Sequence, residues 1–305
     1  MNNIRICLAI VVGVVGCGAL AAELPTLAGP AMGTTYRVTL GAVSRSLSRG
    51  EVHREIEAVL ARIDQAANTW RADSDASRFN RAAAAGEWVA VGTDLVAIVE
   101  IARSVHARSD GAFDITIAPL LRLPPDERSQ SDRAAAFKLV GMQHVESRRA
   151  PPALRKRLDG VEIDLGGIGP GYAVDRIGER LVALGSASHL VELGGEVRAW
   201  GARPDGSKWR VRLRGQQSGG DGNGAVIDLT PGEALATATS RPGRSPVDPR
   251  TGKVIQHAPA TVTTRAATCA EADAEAVAAL VTAQENPTLH GQPSLKVFFH
   301  QKSPP

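Results

Sequence analysis

Val161-Glu162-Ile163-Asp164-Leu165-Gly166-Gly167-Ile168-Gly169-Pro170-Gly171-Tyr172-Ala173-Val174-Asp175 carries the densest pattern in the chain. Apolar residues at Val161, Ile163 and Leu165 alternate, which predicts a short strand. Four glycines then surround Ile168 and Pro170 and predict a turn. Beyond it Ala173, Ile177, Leu181 and Leu184 recur at helical spacing, so a helix is expected from about Tyr172. Glycines ahead of a helix let backbone N–H groups approach an anion with no Cβ in the way, and the helix N-terminus adds partial positive charge. Such a turn can receive a phosphate, or it is a strand-to-helix connection with no ligand. It is not the GxGxxG dinucleotide fingerprint, because Tyr172 stands where the third glycine belongs, and no Gly-Lys-Ser/Thr follows to make a Walker loop. Asp164 ends the expected strand at the lip of the turn, where it either faces a ligand or caps the turn.

Working outward, the whole chain has 305 residues, enough for one large domain or two small ones. Its formal net charge of +3 and few aromatic residues argue against nucleic acid as a partner. Residues 1–22 read as an export signal: a weak polar start, an apolar run from Ile6 to Gly16 too short for a membrane span, and Ala19-Leu20-Ala21 before the cleavage site. Val14-Val15-Gly16-Cys17 competes as a lipobox, which would make Cys17 a lipid-anchored N-terminus. Both readings place the mature protein, residues 23–305 in one domain, outside the cytoplasmic membrane in the periplasm or beyond. Either cleavage leaves no pair of free thiols for an intramolecular disulfide, and Cys269 reads as a small buried residue.

Several further segments are legible. Alternation after Gly33 predicts a strand, and Val52, Ile56, Val59, Leu60 and Ile63 share one face of a helix over 51–66. Asn68 to Asn80 reads as a polar loop in which Trp70 is either a hydrophobic plug or a stacking surface for a planar ring. Thr93 is expected to cap a second helix that exits at Ser109-Asp110-Gly111. Asp114 interrupts the apolar run that follows, so it is paired, turn-forming or a ligand. Strands are expected around the Gly194-Gly195 pair, at Trp209–Arg214, at Ala225–Leu229, from Val262 and at Leu295–His300. Gln216–Gly224 reads as a glycine-rich loop, and Arg241, Arg244 and Arg250 surround a tight turn at Asp248-Pro249. A last, alanine-rich helix is expected over about Glu271–Ala283. Asp273 then lies in its first turn, where it complements the helix dipole or binds a hard cation.

Taken in order, these segments resemble one family, the ApbE-type FAD:protein FMN transferases. The resemblance runs through MGTTY at Met32, DSDASRFN at Asp73, DGAFDITIAPL at Asp110 and IDLGGIGPGYAVD at Ile163. It continues through LVELGGEVRAWG at Leu190, ATS at Ala238, DPRTG at Asp248 and EADAEA at Glu271. It implies an α+β fold of two T-fold-like halves with a flavin-binding cleft between them. It also implies Mg²⁺-dependent transfer of FMN from FAD to a Thr or Ser of an exported acceptor protein in a redox or electron-transfer complex, with release of AMP. By the same resemblance Met32, Trp70, Ala112, Phe113, Asp114, Asp164, Pro170 and Val247 match flavin-nucleotide contacts. Gly167, through its carbonyl, and Asp273, through its carboxylate, match metal ligands.

Three positions depart from the family pattern. Pro170 stands where Lys or another polar residue is usual, Ser245 where a His is common, and Val277 where a Thr helps to ligate the metal. The loop from Ser240 to Ser245 is also short. Together these remove a phosphate contact, a candidate base and a metal ligand, so a protein that binds FAD without transferring FMN is the alternative expectation.

Overall fold

The computed structural model describes residues 24–42, 48–82, 84–123, 130–213, 226–240, 245–255, 261–283 and 298–300. The expected leader, the lipobox, Arg241, Arg244, and the 216–224 loop lie outside the described residues.

The chain opens with a hairpin of β1 (Thr26–Ala31) and β2 (Thr34–Ala42). Met32 and Gly33 close it with φ of 49° and 76°, the pair of left-handed residues that a tight two-residue hairpin turn demands. Helix α1 (Arg49–Ala67) starts at a capping box in which the Ser48 hydroxyl accepts from Glu51 N–H and the Glu51 carboxylate accepts from Ser48 N–H. Its apolar stripe is buried as expected. A short helix α2 (Asp75–Arg81), strand β3 (Trp88–Ala90) and helix α3 (Thr93–Arg108) follow. Next come α4 (Ala118–Leu121), α5 (Gln130–Phe137) and the hairpin of β4 (Val145–Arg149) with β5 (Pro152–Lys156).

The second half contains α6 (Gly169–Ala183), the hairpin of β6 (Ser188–Leu193) and β7 (Glu196–Trp200), and the hairpin of β8 (Trp209–Arg212) and β9 (Val226–Leu229). Strands β10 (Ala234–Thr239) and β11 (Thr261–Ala266), helix α7 (Cys269–Thr282) and strand β12 (Phe298–His300) complete it. An antiparallel seven-stranded sheet runs β1-β2-β6-β7-β10-β11-β12. Helices α6 and α7 lie on one face of it, with α1 over α6 and α3 against α7. A second sheet, β3-β5-β4, packs on α3. Alternation within β6 serves both faces: Val191 and Leu193 join the helices, while Leu190 packs with Trp209, Val211, Ile227 and Leu229 of the β8–β9 hairpin.

Five expectations are corrected. The polar stretch Asn68–Asn80 is not all loop, because α2 begins at Asp75 behind a Ser74 cap. Val161–Leu165 is not a strand of any sheet, because its backbone groups bond a side chain and a loop carbonyl instead. Helix α6 begins at Gly169, three residues before Tyr172, and takes Pro170 into its first turn, where a missing N–H leaves no helical bond unmade. Thr93 is the first residue of α3 rather than its cap. Gly92 holds the cap position and donates its N–H to Asp75 Oδ2 at 2.6 Å. Helix α7 starts at Cys269 behind a Thr268 cap, which leaves Glu271 in the first turn and moves Asp273 into the second, out of range of the dipole argument.

One packing detail ties the helical layer to the sheet. His189 and Trp200 face each other across β6 and β7 and stack with centroids 5.0 Å apart. Helix α6 reaches this stack through Gly178, where an added Cβ would overlap the Trp200 ring. Gly178→Ala should therefore destabilise the fold by about 1–3 kcal/mol, measured by urea melts. Burial pushes His189 down to about 4, against a weaker opposing bond from the Gly178 backbone. A histidine depressed in the folded state stabilises fully above its unfolded value near 6.5 and loses that contribution as pH falls through 4. Between pH 7 and pH 4 the wild type should lose about 3 kcal/mol more stability than His189→Phe, as read by paired denaturant melts.

Candidate functional site

Helices α6 and α7 cross at backbone distance. A Cβ on Gly171 would overlap the carbonyl of Cys269, so only glycine permits this approach. Asp175, one turn further along α6, fixes the crossing. Its Oδ1 accepts from Cys269 N–H at 2.9 Å and its Oδ2 from Ala270 N–H at 2.9 Å. The first amides of a helix have no partner of their own, and here a carboxylate from a different helix supplies one. Thr268 accepts from Glu271 N–H at 3.3 Å and completes the cap. Arg198 of β7 pairs with the same Asp175 at 2.6 Å, so the carboxylate is buried with its counter-charge. Thr264 of β11 donates to the Ala272 carbonyl at 2.6 Å and anchors α7 from the sheet side.

This arrangement brings Asp273 to the N-terminus of α6, where its Oδ2 accepts from Gly171 N–H at 3.1 Å. Burial pushes the Asp273 carboxyl up to about 7, the Gly171 amide opposes that, and Asp175 adds to the rise. Gly167 lies alongside: a Cβ there would be 2.7 Å from Val277 Cγ2 and 3.6 Å from the Phe113 ring. Val277 sits one helical turn beyond Asp273 on the same side of α7. The Met32 methyl is 3.6 Å from where a Gly169 Cβ would be. Met32, Phe113, Gly167, Pro170 and Asp273 are thus gathered around one helix end, although Met32 and Asp273 lie far apart in the sequence.

Asp164 accepts from Gly166 N–H at 2.7 Å and shapes the turn, the capping geometry open to it from sequence. Asp114 points inward. Its side chain is 2 % exposed, its Oδ1 accepts from the Thr116 N–H and hydroxyl, and its Oδ2 accepts from Met142 N–H at 3.2 Å and lies 3.3 Å from His106 Nδ1. Of the options for Asp114, it is paired and turn-forming, and its carboxylate braces the loop that presents Ala112 and Phe113. Trp70 is no plug: it is 69 % exposed on the loop before α2. Val247 packs in a separate small cluster with Leu120, Ala136 and Val140. Its loop joins the Ala112–Asp114 segment through Arg250, which Asp248 holds at 2.9 Å and whose Cγ lies 3.4 Å from where a Gly111 Cβ would be. Ser245 is exposed at the start of that loop. Cys269 is fully buried, with its thiol pushed well up by burial, which suits a packing residue.

Asp175, Arg198 and Asn80 were not singled out from sequence. Asp175 had a signal, a lone acid on the buried side of an otherwise apolar helix.

Among the described residues no three His, Cys, Asp or Glu side chains converge on one point. What the site offers is one buried carboxylate, Asp273, with Gly167 packed on Val277 one turn beyond it. That suits Mg²⁺, which binds through one or two carboxylates and takes its remaining ligands from water and substrate phosphates. Val277 contributes only methyl groups at this place.

A family model described as the ApbE family matches residues 32–299. The FAD:protein FMN transferase of Escherichia coli K12 is 30 % identical over 273 residues, spanning 83 % of this chain and 77 % of that protein. The Haemophilus influenzae protein of the same name is 29 % identical over 271 residues, 81 % of this chain and 78 % of its own length. Among solved structures, the flavinyl transferase ApbE of Pseudomonas stutzeri superposes with a TM-score of 0.81 at 31 % identity, covering 92 % of both chains. The flavin transferase ApbE of Vibrio cholerae gives 0.77 at 25 % identity over 92 % of this chain and 97 % of that one. With the family model matching residues 32–299 and the α+β fold shared over 92 % of the chain, the chain belongs to the ApbE family.

Proposed function

We propose that this protein is an enzyme of flavin transfer that takes FAD as donor, moves FMN to a Ser or Thr hydroxyl of an acceptor protein and releases AMP. The names of its relatives support that class. One geometric observation carries it to these residues: Asp273 meets the Gly171 amide at the N-terminus of α6, and Gly167 packs on Val277, one turn beyond Asp273. A helix end fronted by glycines suits the two phosphates of FAD. The Ala112–Phe113 backbone, braced by Asp114, offers an edge for the nucleotide, and the exposed Trp70 ring offers a stacking face for a planar system.

The acceptor oxygen bonds to the phosphorus of the FMN half, the bridging P–O bond breaks with its oxygen leaving on AMP, and the hydroxyl proton passes to water or to the departing AMP phosphate. Mg²⁺ held by Asp273 and the Gly167 carbonyl would supply charge neutralisation on the phosphate oxygens. The chain's own residues orient the pyrophosphate through backbone donors and keep the carboxylate dry. The apolar stretch in residues 1–22 supports export, with Cys17 as an alternative lipid anchor, and an acceptor in a redox or electron-transfer complex outside the cytoplasmic membrane.

A second reading, FAD binding without transfer, is favoured by one observation: Val277 abuts Gly167 where a ligating side chain would strengthen the metal shell. Ser245 adds to it, since a serine is a poor base at neutral pH.

Mature protein mixed with FAD, Mg²⁺ and an acceptor domain should release AMP and raise the acceptor mass by one FMN. Retained FAD with neither product would establish the second reading. Asp273→Asn keeps an acceptor for the Gly171 amide, so its melting curve should stay near that of the wild type. Its Mg²⁺-dependent turnover should fall by roughly two orders of magnitude or more. Turnover unchanged by this substitution would remove Asp273 from the metal site.

A further inference from the structure

Val161–Leu165 enters the glycine turn without a neighbouring strand, yet its backbone is held at two successive residues. Asn80, next to last in α2, grips Ile163 from both sides: Asn80 Nδ2 donates to the Ile163 carbonyl at 2.9 Å and Ile163 N–H donates to Asn80 Oδ1 at 2.8 Å. One side chain thereby supplies the pair of bonds that an adjacent strand would make. The next residue, Asp164, donates its N–H to the Ile115 carbonyl at 2.7 Å. The Asp164 carboxylate then shapes the turn through Gly166.

Asn80 is itself anchored. Its carbonyl, at the C-terminal end of α2, accepts from Lys156 Nζ at 3.1 Å. Lys156 is 1 % exposed, and its ammonium lies 5.1 Å from the Phe79 ring centroid. Burial lowers the Lys156 pKa, with Glu162 and Asp159 opposing. A cation placed so deep needs partners, and it finds them in a helix-end carbonyl and an aromatic face. At the other end of α2 the Ser74 hydroxyl donates to the Asn68 carbonyl at 2.6 Å, and Asn68 Oδ1 accepts from Trp70 N–H at 2.8 Å. Helix α2 thus links the Trp70 loop to the lip of the glycine turn.

We propose that Asn80 is a positioning residue for flavin transfer: by clamping the Ile163 peptide it sets the glycine turn relative to Asp273. The proposal rests on the functional reading above. Asn80 acts through the backbone of Ile163, so its loss moves the phosphate-facing peptides while the surfaces that bind the nucleotide remain.

The test uses Asn80→Ala and Asn80→Asp in the mature protein. In ligand-free amide exchange, peptides covering 161–167 should exchange faster while α6 and α7 keep wild-type protection. With FAD, Mg²⁺ and acceptor domain, kcat should fall by about 10²-fold in Asn80→Ala with KM for FAD shifting less than about threefold, as expected for a misplaced reacting group. Asn80→Asp keeps the acceptor for Ile163 N–H and should lose less; it carries the test alone if Asn80→Ala does not fold. Unchanged exchange over 161–167, kcat within about twofold of wild type, or KM rising in step with the loss of kcat would each overturn the role. A wild type that transfers no FMN overturns the functional reading and this role with it, while the exchange data still decide whether the clamp exists.

Discussion

The carboxylate of Asp175 receiving the first two free amides of α7 is the interaction on which the remaining geometry depends. It joins two helices whose backbones touch at Gly171, and Arg198 ties the same group to the sheet. Breaking a buried pair by removing one partner costs about 3–5 kcal/mol, because the other charge stays behind without compensation. The cost here would be functional as well as structural. Asp273 lies one turn inside α7, so any slip of that helix start moves it away from the Gly171 amide.

Around this crossing the chain supplies an unusual mixture. The glycines admit close backbone approach, the alanines of α7 let it sit low on β10 and β11, and the acids are confined to places where amides or arginine meet them. Asp175 is matched by Arg198 and two amides, whereas Asp273 has one amide and a neighbouring acid. The two buried aspartates are therefore unequally compensated, and burial raises the carboxyl of Asp273.

Much of this fold was legible. Helices α1 and α3 and the β6–β7 hairpin follow from apolar periodicity alone, since each buries one face or both. Val161–Leu165 was misread because alternation records which side chains are buried and says nothing about what satisfies the backbone; Asn80 does a strand's work there. Helix α2 was hidden because seven polar-rich residues carry little periodicity, and its cap at Ser74 looks like loop chemistry. The inward turn of Asp114 was one of several options, and only its three neighbours, Thr116, Met142 and His106, decide among them. A lone acid on the buried side of α6 signals that Asp175 has a partner, but nothing local says that the partner is the start of a helix almost a hundred residues away.

That long-range cap has a bearing on how the molecule comes into being. A polypeptide emerging from the ribosome presents the glycine turn about a hundred residues ahead of the helix that finishes it, as the separation of Asp175 from Cys269 requires. Until α7 docks, the Asp175 carboxylate keeps Arg198 but lacks the two amides of Cys269 and Ala270. The glycine turn therefore gains its facing carboxylate, Asp273, only when α7 closes, and a chain truncated before Thr268 would keep the turn while lacking the acid that meets its Gly171 amide.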